Sequence, residues 1–445
     1  MANIDLVDHL VVVVLENRSF DHMLGYLSLS GRNDVDGLLD TPAFRDRYAN
    51  KPPAGGKPYY STPLTPDLLP FDPPHTRKPI NQQMDLGPDG VPRMTGFVKA
   101  LGSASPAERN AVMTYQLPDV VWTYDYIAAN YAISDRWFSS VPASTQPNRL
   151  MFMCGQTTRD EQALQLPVLP TVYEWLNEHK VEWRTYYRGN WPFVIIMPHP
   201  NFGRRLVHDP QLNEFSAAWN DPACPSVIFI EPRYYFGPLQ SKPECDHPYT
   251  RASVTPGQRL IYEVLRVVAS NQSRWRKTMV LVTYDEHGGL FDHVAPPRFV
   301  TPCGENPPFA FLGIRVPALV VSPFTPRRTV LGSGSGHVFD HTSILRFLGD
   351  RWGEGHYNEW VDARNVSSLG EFVMNVPTPD SKLILPDDRK DPPVADASKD
   401  DSAIPEEALP IAEYLRQRVA QEGLSAVQSD FPELAHILPY LVTAQ

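Results

Sequence analysis

Three short apolar runs in this chain each stop at acidic or amide residues. The runs and the residues that end them are His9–Leu15 before Glu16 and Asn17, Ser226–Ile230 before Glu231, and Met279–Tyr284 before Asp285, Glu286 and His287. Val- and Ile-rich runs bounded by polar clusters are typical of buried strands in a parallel sheet. Ligands of such sheets bind outside the carboxyl ends of the strands. The pattern predicts an α/β protein with its polar side chains gathered at one edge of the sheet.

These strand ends suggest a metal site. Carboxylate and amide groups supply oxygen ligands, which suit a hard divalent cation such as calcium or magnesium, whereas an added histidine would favour zinc or manganese. The candidate ligands are Glu16, Asn17, Asp285 and Glu286. The alternative is that each carboxylate caps a helix or pairs with an arginine. Adjacent ligand-type pairs at two strand ends keep the metal interpretation open, with the identity of the ion unknown.

Composition narrows the possible partners. The 445 residues carry a net charge of −11, which argues against nucleic acid and against a polybasic membrane anchor. No apolar run approaches the roughly 18–20 residues that a membrane-spanning helix needs. The first residues lack a basic segment and lead directly into the first strand, so we predict no signal peptide. A cytoplasmic or peripheral membrane location is favoured, and secretion stays open. The four cysteines lack zinc-type spacing, although one pair could form a disulfide.

The 46 prolines indicate long, irregular loops of the kind that build sites. We predict one long excursion over residues 30–95, a catalytic domain over residues 1–376, and an acidic, proline-rich strap with C-terminal helices over residues 377–445. Further predicted strands cover 131–134, 182–187 and 316–322. Predicted helices cover 17–26, 105–130, 256–269 and a segment starting at 341.

A hydroxyl group is expected at the start of a helix near residue 145. Thr145 or Gln146 fits an N-cap, with Pro147 at the first helical position. Helix N-termini bind phosphate through backbone N–H groups, so Thr145 is the candidate nucleophile. Its alternative role is plain helix capping, and Ser144 is the adjacent competitor.

Three histidines are candidates for acid–base chemistry. His75, His247 and His341 each lie beside proline or an acidic residue. A general acid for a leaving alkoxide needs a group that titrates near neutrality, and histidine supplies one. The alternative for each is a hydrogen-bonded structural histidine.

Taken together, the motifs resemble the phosphoesterase family that contains the non-specific phospholipases C and a group of acid phosphatases. The segments that carry the resemblance are Leu15–Gly25, Asp135–Arg149, Asp246–Pro248, Tyr284–Val294 and Phe339–Ser343. It implies an alkaline-phosphatase-like fold with helices on both faces of a mostly parallel sheet. It also implies roles for individual residues: metal ligation by Glu16, Asn17, Asp285 and Glu286, catalysis by Thr145, His75, His247 and His341, and substrate binding by Asn17 and Asn148.

The resemblance implies a phospholipase C that converts glycerophospholipids into diacylglycerol and a phosphorylated head group. Transient contact with a membrane surface would follow from such a substrate, and the oligomeric state stays open. An acid phosphatase acting on phosphomonoesters is the alternative, although the paired mid-chain histidines of those enzymes are replaced here by Tyr186, Tyr187 and Arg188, with His199 later. A non-catalytic lipid- or phosphate-binding protein is a third possibility, which the complete set of site residues argues against.

Overall fold

The computed structural model describes residues 3–162, 167–189, 192–196, 203–234, 243–248, 253–378, 380–386 and 409–430, together with Leu438. The strands are β1 His9–Leu15, β2 Thr62–Pro63, β3 Thr114–Tyr115, β4 Ala132–Ser134, β5 Trp183–Tyr187, β6 Leu206–His208, β7 Val227–Glu231, β8 Thr278–Tyr284, β9 Arg298–Cys303, β10 Asn306–Phe311, β11 Ala318–Val321 and β12 Val330–Leu331.

The helices fall mainly between these strands. They are α1 Phe20–Leu24, α2 Tyr26–Leu29, α3 Pro42–Arg47, α4 Arg77–Met84, α5 Phe97–Ala100, α6 Pro106–Ala111, α7 Trp122–Asn130, α8 Thr145–Cys154, α9 Val172–Glu178, α10 Asn213–Asn220, α11 Thr255–Ala269, α12 Gln272–Trp275, α13 Thr342–Trp352, α14 Glu359–Asp362, α15 Leu409–Glu422 and α16 Leu424–Asp430. Short 3₁₀ helices cover Ile4–Leu6, Phe193–Ile196, Gly203–Arg205 and Leu369–Phe372.

Eight strands form one sheet in the order β12-β4-β11-β8-β1-β7-β5-β6. β1 lies at the centre and runs parallel to both β7 and β8. Of the sheet strands in the described part of the chain, only β11 runs antiparallel to its neighbours, β8 and β4. The register pairs Leu15 with Tyr284, so the residues that follow β1 and β8 leave the sheet side by side.

The sheet is buried on both faces. Successive strand side chains point to opposite faces, and every residue of β8 is buried. One group of helices, α7, α10, α11 and α12, packs around α11, and a second group, α8, α9, α13 and α14, packs around α8 and α13. Both faces therefore need covering by helices, as continuous Val/Ile runs predict. The predicted α/β class with a mostly parallel sheet is confirmed.

Two predicted segments differ in the structure. The helix predicted over 105–130 is wrong as a single element, because α6 and α7 are separated by the short strand β3. Pro118 lies between them, and proline removes a backbone donor and disfavours a continuous helix. The helix predicted from residue 17 begins at Phe20, because Asn17 has a left-handed φ of 61° and Ser19 caps the helix.

The described C-terminal residues pack on the same core as the sheet. Leu383, Leu415 and Val427 belong to the main hydrophobic cluster. Residues 387–408, which make up most of the predicted strap, lie outside the described residues, and the division of the chain at residue 376 stays a prediction. All four cysteines are free thiols. Within the described residues, no helix combines the length and the apolar character needed to cross a bilayer.

Candidate active site

The carboxyl ends of β1 and β8 bring the four candidate metal ligands together. Glu16 and Asn17 follow β1, and Asp285 and Glu286 follow β8, all of them buried. The backbone N–H of Asp285 donates to the carbonyl oxygen of Leu15 over 3.1 Å. The backbone N–H of Asn17 donates to Asp285 Oδ1 over 3.3 Å. The sequence prediction that these side chains would gather at one edge of the sheet matches their position.

Arg149 is the positive charge among these carboxylates. Its Nε donates to Asp285 Oδ2 over 3.2 Å, and its Nη2 lies 3.7 Å from Glu16 Oε1. Burial raises the pKa of Asp285 to about 6, although the charge of Arg149 opposes that shift. Arg149 also lies over the rings of Phe193 and Tyr234. From the sequence, Arg149 is recognisable only as part of the Asp135–Arg149 motif, because its partners come from distant segments.

Glu286 belongs to the same group of charges and keeps its negative charge more readily than Asp285 does. Burial would raise its pKa, but His75 and His287 hold the pKa of Glu286 below its usual range. Glu286 Oε2 accepts a hydrogen bond from the backbone N–H of Gly288 over 2.8 Å. The site therefore combines three carboxylates, Glu16, Asp285 and Glu286, with one guanidinium in contact with two of them.

Two buried oxygen atoms of this group point to a cation. In the part of the chain that the structure describes, Asn17 Oδ1 and Glu286 Oε1 have no hydrogen-bond partner. A buried polar atom without a partner is costly, and a bound ion is one of its common explanations. The donors are oxygen atoms, which suit a hard divalent cation. The four residues therefore fit a divalent ion whose identity is open.

A close backbone contact holds the two ligand segments against each other. Gly288 has a φ of 64°, and a Cβ at this position would lie 2.3 Å from the carbonyl oxygen of Asn17. Asn17 itself has a left-handed φ of 61°, a conformation that few residues other than glycine adopt. The turn after Glu286 therefore fits against Asn17 only because residue 288 lacks a side chain.

Thr145 begins α8, the helix that faces these ligands. The predicted N-cap is shifted, because Ser144 is the cap and Thr145 is the first helical residue. Side chains four residues apart share a helix face, so Thr145 lies on the face from which Arg149 reaches Asp285. Thr145 is buried, and its hydroxyl has no hydrogen-bond partner among the described residues. The first backbone N–H groups of a helix are also unpaired within it and favour anions.

Asn148 ties down the loop that precedes Thr145. Its Oδ1 accepts a hydrogen bond from the backbone N–H of Val141 over 3.1 Å. Its Nδ2 lies within hydrogen-bond distance of the carbonyl oxygens of Val141, Ala143 and Ser144, at 3.1, 2.8 and 3.1 Å. In this arrangement the amide binds backbone, and its predicted contact with substrate stays a prediction.

His75 and His247 meet beside Asn17. His75 Nδ1 donates to the carbonyl oxygen of Pro73 over 2.7 Å, and His75 Nε2 lies 3.2 Å from Asn17 Nδ2. The rings of His75 and His247 are 5.8 Å apart. Asp72 lies 3.7 Å from His75 Nδ1 and 3.8 Å from His247 Nε2. These three side chains are close enough to hold a cation as well. Asp72 lies only three residues before His75, and this short spacing is the feature of the sequence that could have indicated the pair.

His341 forms a hydrogen bond with the backbone of the segment that carries Asp285 and Glu286. Its Nε2 donates to the carbonyl oxygen of Asp285 over 2.6 Å, and its backbone N–H donates to Ser140 Oγ. Burial lowers the pKa of His341 to about 4, so the ring is neutral at pH 7. The structure links His341 to both Asp285 and the loop before Thr145, while its predicted catalytic role stays a prediction.

A second buried charge cluster lies next to α1. Arg315 donates to Asp21 and Asp292 over 3.0 and 2.9 Å, and His293 contacts Asp21 and Asp36 over 2.6 and 3.0 Å. Burial disfavours the charged ring, but Asp21 and Asp36 raise the pKa of His293 to about 9. Backbone N–H groups complete the set of hydrogen bonds to Asp21 and Asp292. This cluster is an internally paired network.

The fold and site together define a class: an α/β protein whose buried carboxylates lie at the ends of its central strands, beside a buried hydroxyl at a helix N-terminus. Residues 7–354 match the model of the phosphoesterase family, and the chain belongs to that family. The predicted family is thereby confirmed, as is the predicted enzyme class, hydrolases of phosphoric esters, at the level of the family.

Named relatives come from plants and bacteria. Non-specific phospholipase C6 of Arabidopsis thaliana is 32% identical over 357 residues, covering 75% of this chain and 66% of that protein, just under two thirds of its length. Phospholipase C B of Mycobacterium tuberculosis is 28% identical over 438 residues, covering 84% of this chain and 79% of that protein. Among solved structures, a protein in the alkaline phosphatase superfamily from Vibrio parahaemolyticus has a TM-score of 0.36 at 11% identity, covering 78% of this chain and 66% of that one.

Proposed function

We propose that this chain is a phospholipase C-type phosphodiesterase that hydrolyses glycerophospholipids to diacylglycerol and a phosphorylated head group. Membership of the phosphoesterase family and the phospholipase C names of the relatives support the reaction class. A lipid substrate also requires transient contact of the site with a membrane surface. Thr145 is the nucleophile in this proposal, and a divalent cation is the cofactor.

The observation that carries the proposal is the hydroxyl of Thr145. It is buried and has no hydrogen-bond partner among the described residues, which is unusual for a buried polar group. It shares a helix face with Arg149, whose guanidinium contacts Asp285. A hydroxyl that only capped its helix would accept a backbone hydrogen bond, and α8 has no side-chain cap.

Each site residue has a role in this mechanism. A divalent cation held by Glu16, Asn17, Asp285 and Glu286 would supply positive charge that neutralises phosphoryl oxygens and lowers the pKa of a neighbouring hydroxyl. Thr145 gives up its hydroxyl proton to solvent water as Oγ1 attacks phosphorus in line, the bond from phosphorus to the glycerol oxygen breaks, and a phosphothreonine ester forms. Water then hydrolyses that ester, which returns a proton to Thr145 Oγ1 and leaves the hydroxide on the released phosphorylated head group. Asn17 and the first backbone N–H groups of α8 hold the phosphoryl oxygens.

His247 is the general acid in this proposal. The departing glycerol oxygen needs a proton, which a histidine can donate near neutral pH. Asp72 lies 3.8 Å from His247 Nε2. Both nitrogens of His75 are close to partners, Pro73 and Asn17, so His75 serves here to orient the amide of Asn17 toward the phosphoryl group.

The alternative, a phosphatase for monoesters, shares the nucleophile and the cation. It differs in the charge that the pocket must neutralise, because a monoester dianion carries one more negative charge than a diester. Arg149 is engaged by Asp285 and the carbonyl oxygen of Leu15, whereas the buried Arg18 beside Asn17 has no hydrogen-bond partner at Nε and Nη2 among the described residues. The preference for a diester therefore rests on the phospholipase C names of the relatives.

The deciding experiment measures turnover of purified protein on phosphatidylcholine vesicles and on p-nitrophenyl phosphate, with the products identified. Thr145→Ala is compared with Ser144→Ala, because Ser144 offers an adjacent buried hydroxyl that also lacks a partner among the described residues. We expect diacylglycerol and phosphocholine from the wild type and from Ser144→Ala, and less than about a hundredth of that rate from Thr145→Ala.

Three results would change the assignment. Hydrolysis of the monoester alone would identify a phosphatase. Binding of vesicles without turnover of either ester would favour the non-catalytic alternative. A Thr145→Ala protein that keeps most of its turnover, while Ser144→Ala loses it, would transfer the nucleophile role to Ser144.

A further inference from the structure

One buried hydrogen bond joins the two segments that carry the acid and the metal ligands. Tyr284 Oη donates to Asp246 Oδ2 over 2.6 Å, and both side chains are buried. Tyr284 immediately precedes the ligand Asp285, and Asp246 immediately precedes His247. A single side-chain contact therefore connects the end of β8 to the loop that presents the histidine.

The carboxylate of Asp246 is held in place from its other side. Asp246 has a left-handed φ of 73°, a conformation that is uncommon outside glycine, asparagine and aspartate. Gly257 of α11 packs against the carboxylate so closely that a Cβ there would lie 2.2 Å from Asp246 Oδ1. The backbone N–H of Glu16 also donates to the carbonyl oxygen of Cys245 over 2.7 Å, so the loop is anchored at two adjacent points.

Tyr284 is supported in turn by a second phenol. The hydroxyl of Tyr124, on α7, forms a hydrogen bond with the hydroxyl of Tyr284. Both rings are buried, so the three polar groups Tyr124, Tyr284 and Asp246 form a chain shielded from water. A buried chain of hydrogen bonds of this kind fixes the geometry of its members.

We infer that Tyr284 is a positioning residue whose hydrogen bond to Asp246 sets where His247 stands relative to Asp285 and Glu286. The inference rests on the proposed function, in which His247 protonates the departing glycerol oxygen. Tyr284 does not touch the reacting atoms in this role. It acts through the loop of Asp246, and its loss misplaces the acid while the metal ligands stay on the strand end.

The test compares two diesters that share a head group and differ in their leaving group. Phosphatidylcholine releases an alkoxide, which needs a proton, whereas p-nitrophenyl phosphocholine releases a phenolate that leaves without one. Misplacing a catalytic group by about 1 Å can cost about 100-fold in rate. For Tyr284→Phe we expect kcat on phosphatidylcholine to fall about 10- to 100-fold, with KM nearly unchanged, and the rate on p-nitrophenyl phosphocholine to fall less than about threefold, on the scale of acid–base contributions.

A matched control removes the same atom elsewhere. Tyr26 is also buried, and its hydroxyl donates to the carboxylate of Asp125 over 3.0 Å. Tyr26→Phe therefore deletes a partly buried phenol–carboxylate hydrogen bond outside the site, and we expect both rates to match the wild type. If Tyr26→Phe showed the same selective loss as Tyr284→Phe, the effect would be one of general stability and the inference would fail.

Variants of His247 separate the inference from the proposed function. His247→Ala should show the selective loss on phosphatidylcholine, and adding Tyr284→Phe should cost little more, because there is no acid left to position. If His247→Ala lowers both rates equally or neither, the acid assignment fails and the inference fails with it. The positioning role is overturned, while the proposed function stands, if His247→Ala slows only phosphatidylcholine hydrolysis but Tyr284→Phe slows both diesters equally. It is also overturned if the rate loss from Tyr284→Phe is as large in the His247→Ala background as in the wild type.

Discussion

Replacing Asp285 by asparagine should abolish most of the stabilisation that a divalent cation gives this fold. Asp285, Glu16 and Glu286 are three buried carboxylates, and Arg149 contacts the first two. An ion that binds only the folded state at 100 times its dissociation constant stabilises it by about 2.7 kcal/mol. Asparagine keeps the shape of the side chain and removes one ligand charge. If affinity falls about 100-fold, the same ion concentration contributes only about 0.4 kcal/mol.

The assay is thermal unfolding of metal-free protein with and without added calcium, magnesium, manganese or zinc. We expect the wild type to gain stability with at least one of these ions and Asp285→Asn to gain almost none. Asp292→Asn is the matched control, because Asp292 is also buried and receives a hydrogen bond from an arginine Nε, here Arg315 over 2.9 Å. This control should unfold at a lower temperature yet keep its response to the ion. An equal response in Asp285→Asn and wild type would refute the ligand assignment.

Three further predictions concern the neighbouring residues. Because Asp21 and Asp36 raise the pKa of His293 to about 9, its charged ring should stabilise the fold fully below about pH 6.5 and lose that contribution as pH rises toward 9. Chemical denaturation should show a loss of at most about 3 kcal/mol over that range, which His293→Gln should remove; a similar slope in the variant would contradict it. Asn148→Ala should lower the free energy of unfolding by about 1–3 kcal/mol, because buried backbone groups lose their hydrogen-bond partner. It should also lower kcat on phosphatidylcholine, because the loop before Thr145 loses its anchor; an unchanged kcat would show that the loop holds Thr145 without Asn148. Gly288→Ala should destabilise the protein more than Gly55→Ala in the same denaturation assay, because both have a positive φ but only residue 288 meets another backbone atom within 3 Å; equal losses would show that the contact with Asn17 relaxes freely.

The central strands could be predicted because their side chains are apolar on both faces. β1 spans His9–Leu15, as predicted, and β8 begins one residue earlier than predicted, at Thr278. Burial on both faces leaves an unbroken run of Val, Ile and Leu, which a sequence pattern detects directly. The helix predicted over 105–130 was wrong although Pro118 is a local signal against a continuous helix. The strand β3 that separates α6 from α7 pairs with Thr62 and Pro63, about fifty residues away, and no local pattern shows that contact.

Part of the site could be predicted once the central strands were assigned. Parallel strands place their carboxyl ends at one edge, so Glu16 and Asp285 had to be neighbours once β1 and β8 were neighbours. The roles of Arg149 and Asp72 could not be derived this way, because each depends on where a long loop or a helix returns to the sheet. Likewise, the pairing of Tyr284 with Asp246 joins residues 38 positions apart, and no local periodicity encodes it.

The two buried charge clusters show what separates a structural network from a site that awaits a ligand. Both contain an arginine whose Nε donates to an aspartate, Arg315 to Asp292 over 2.9 Å and Arg149 to Asp285 over 3.2 Å. In the first cluster the aspartate oxygens accept hydrogen bonds from Arg315, from His293 and from backbone N–H groups. In the second, Asn17 Oδ1 and Glu286 Oε1 have no hydrogen-bond partner among the described residues. Burial without a partner is costly, and a bound ion is one common explanation for such atoms. The unpartnered oxygens therefore support the proposed ligand site, whereas the density of charge alone does not.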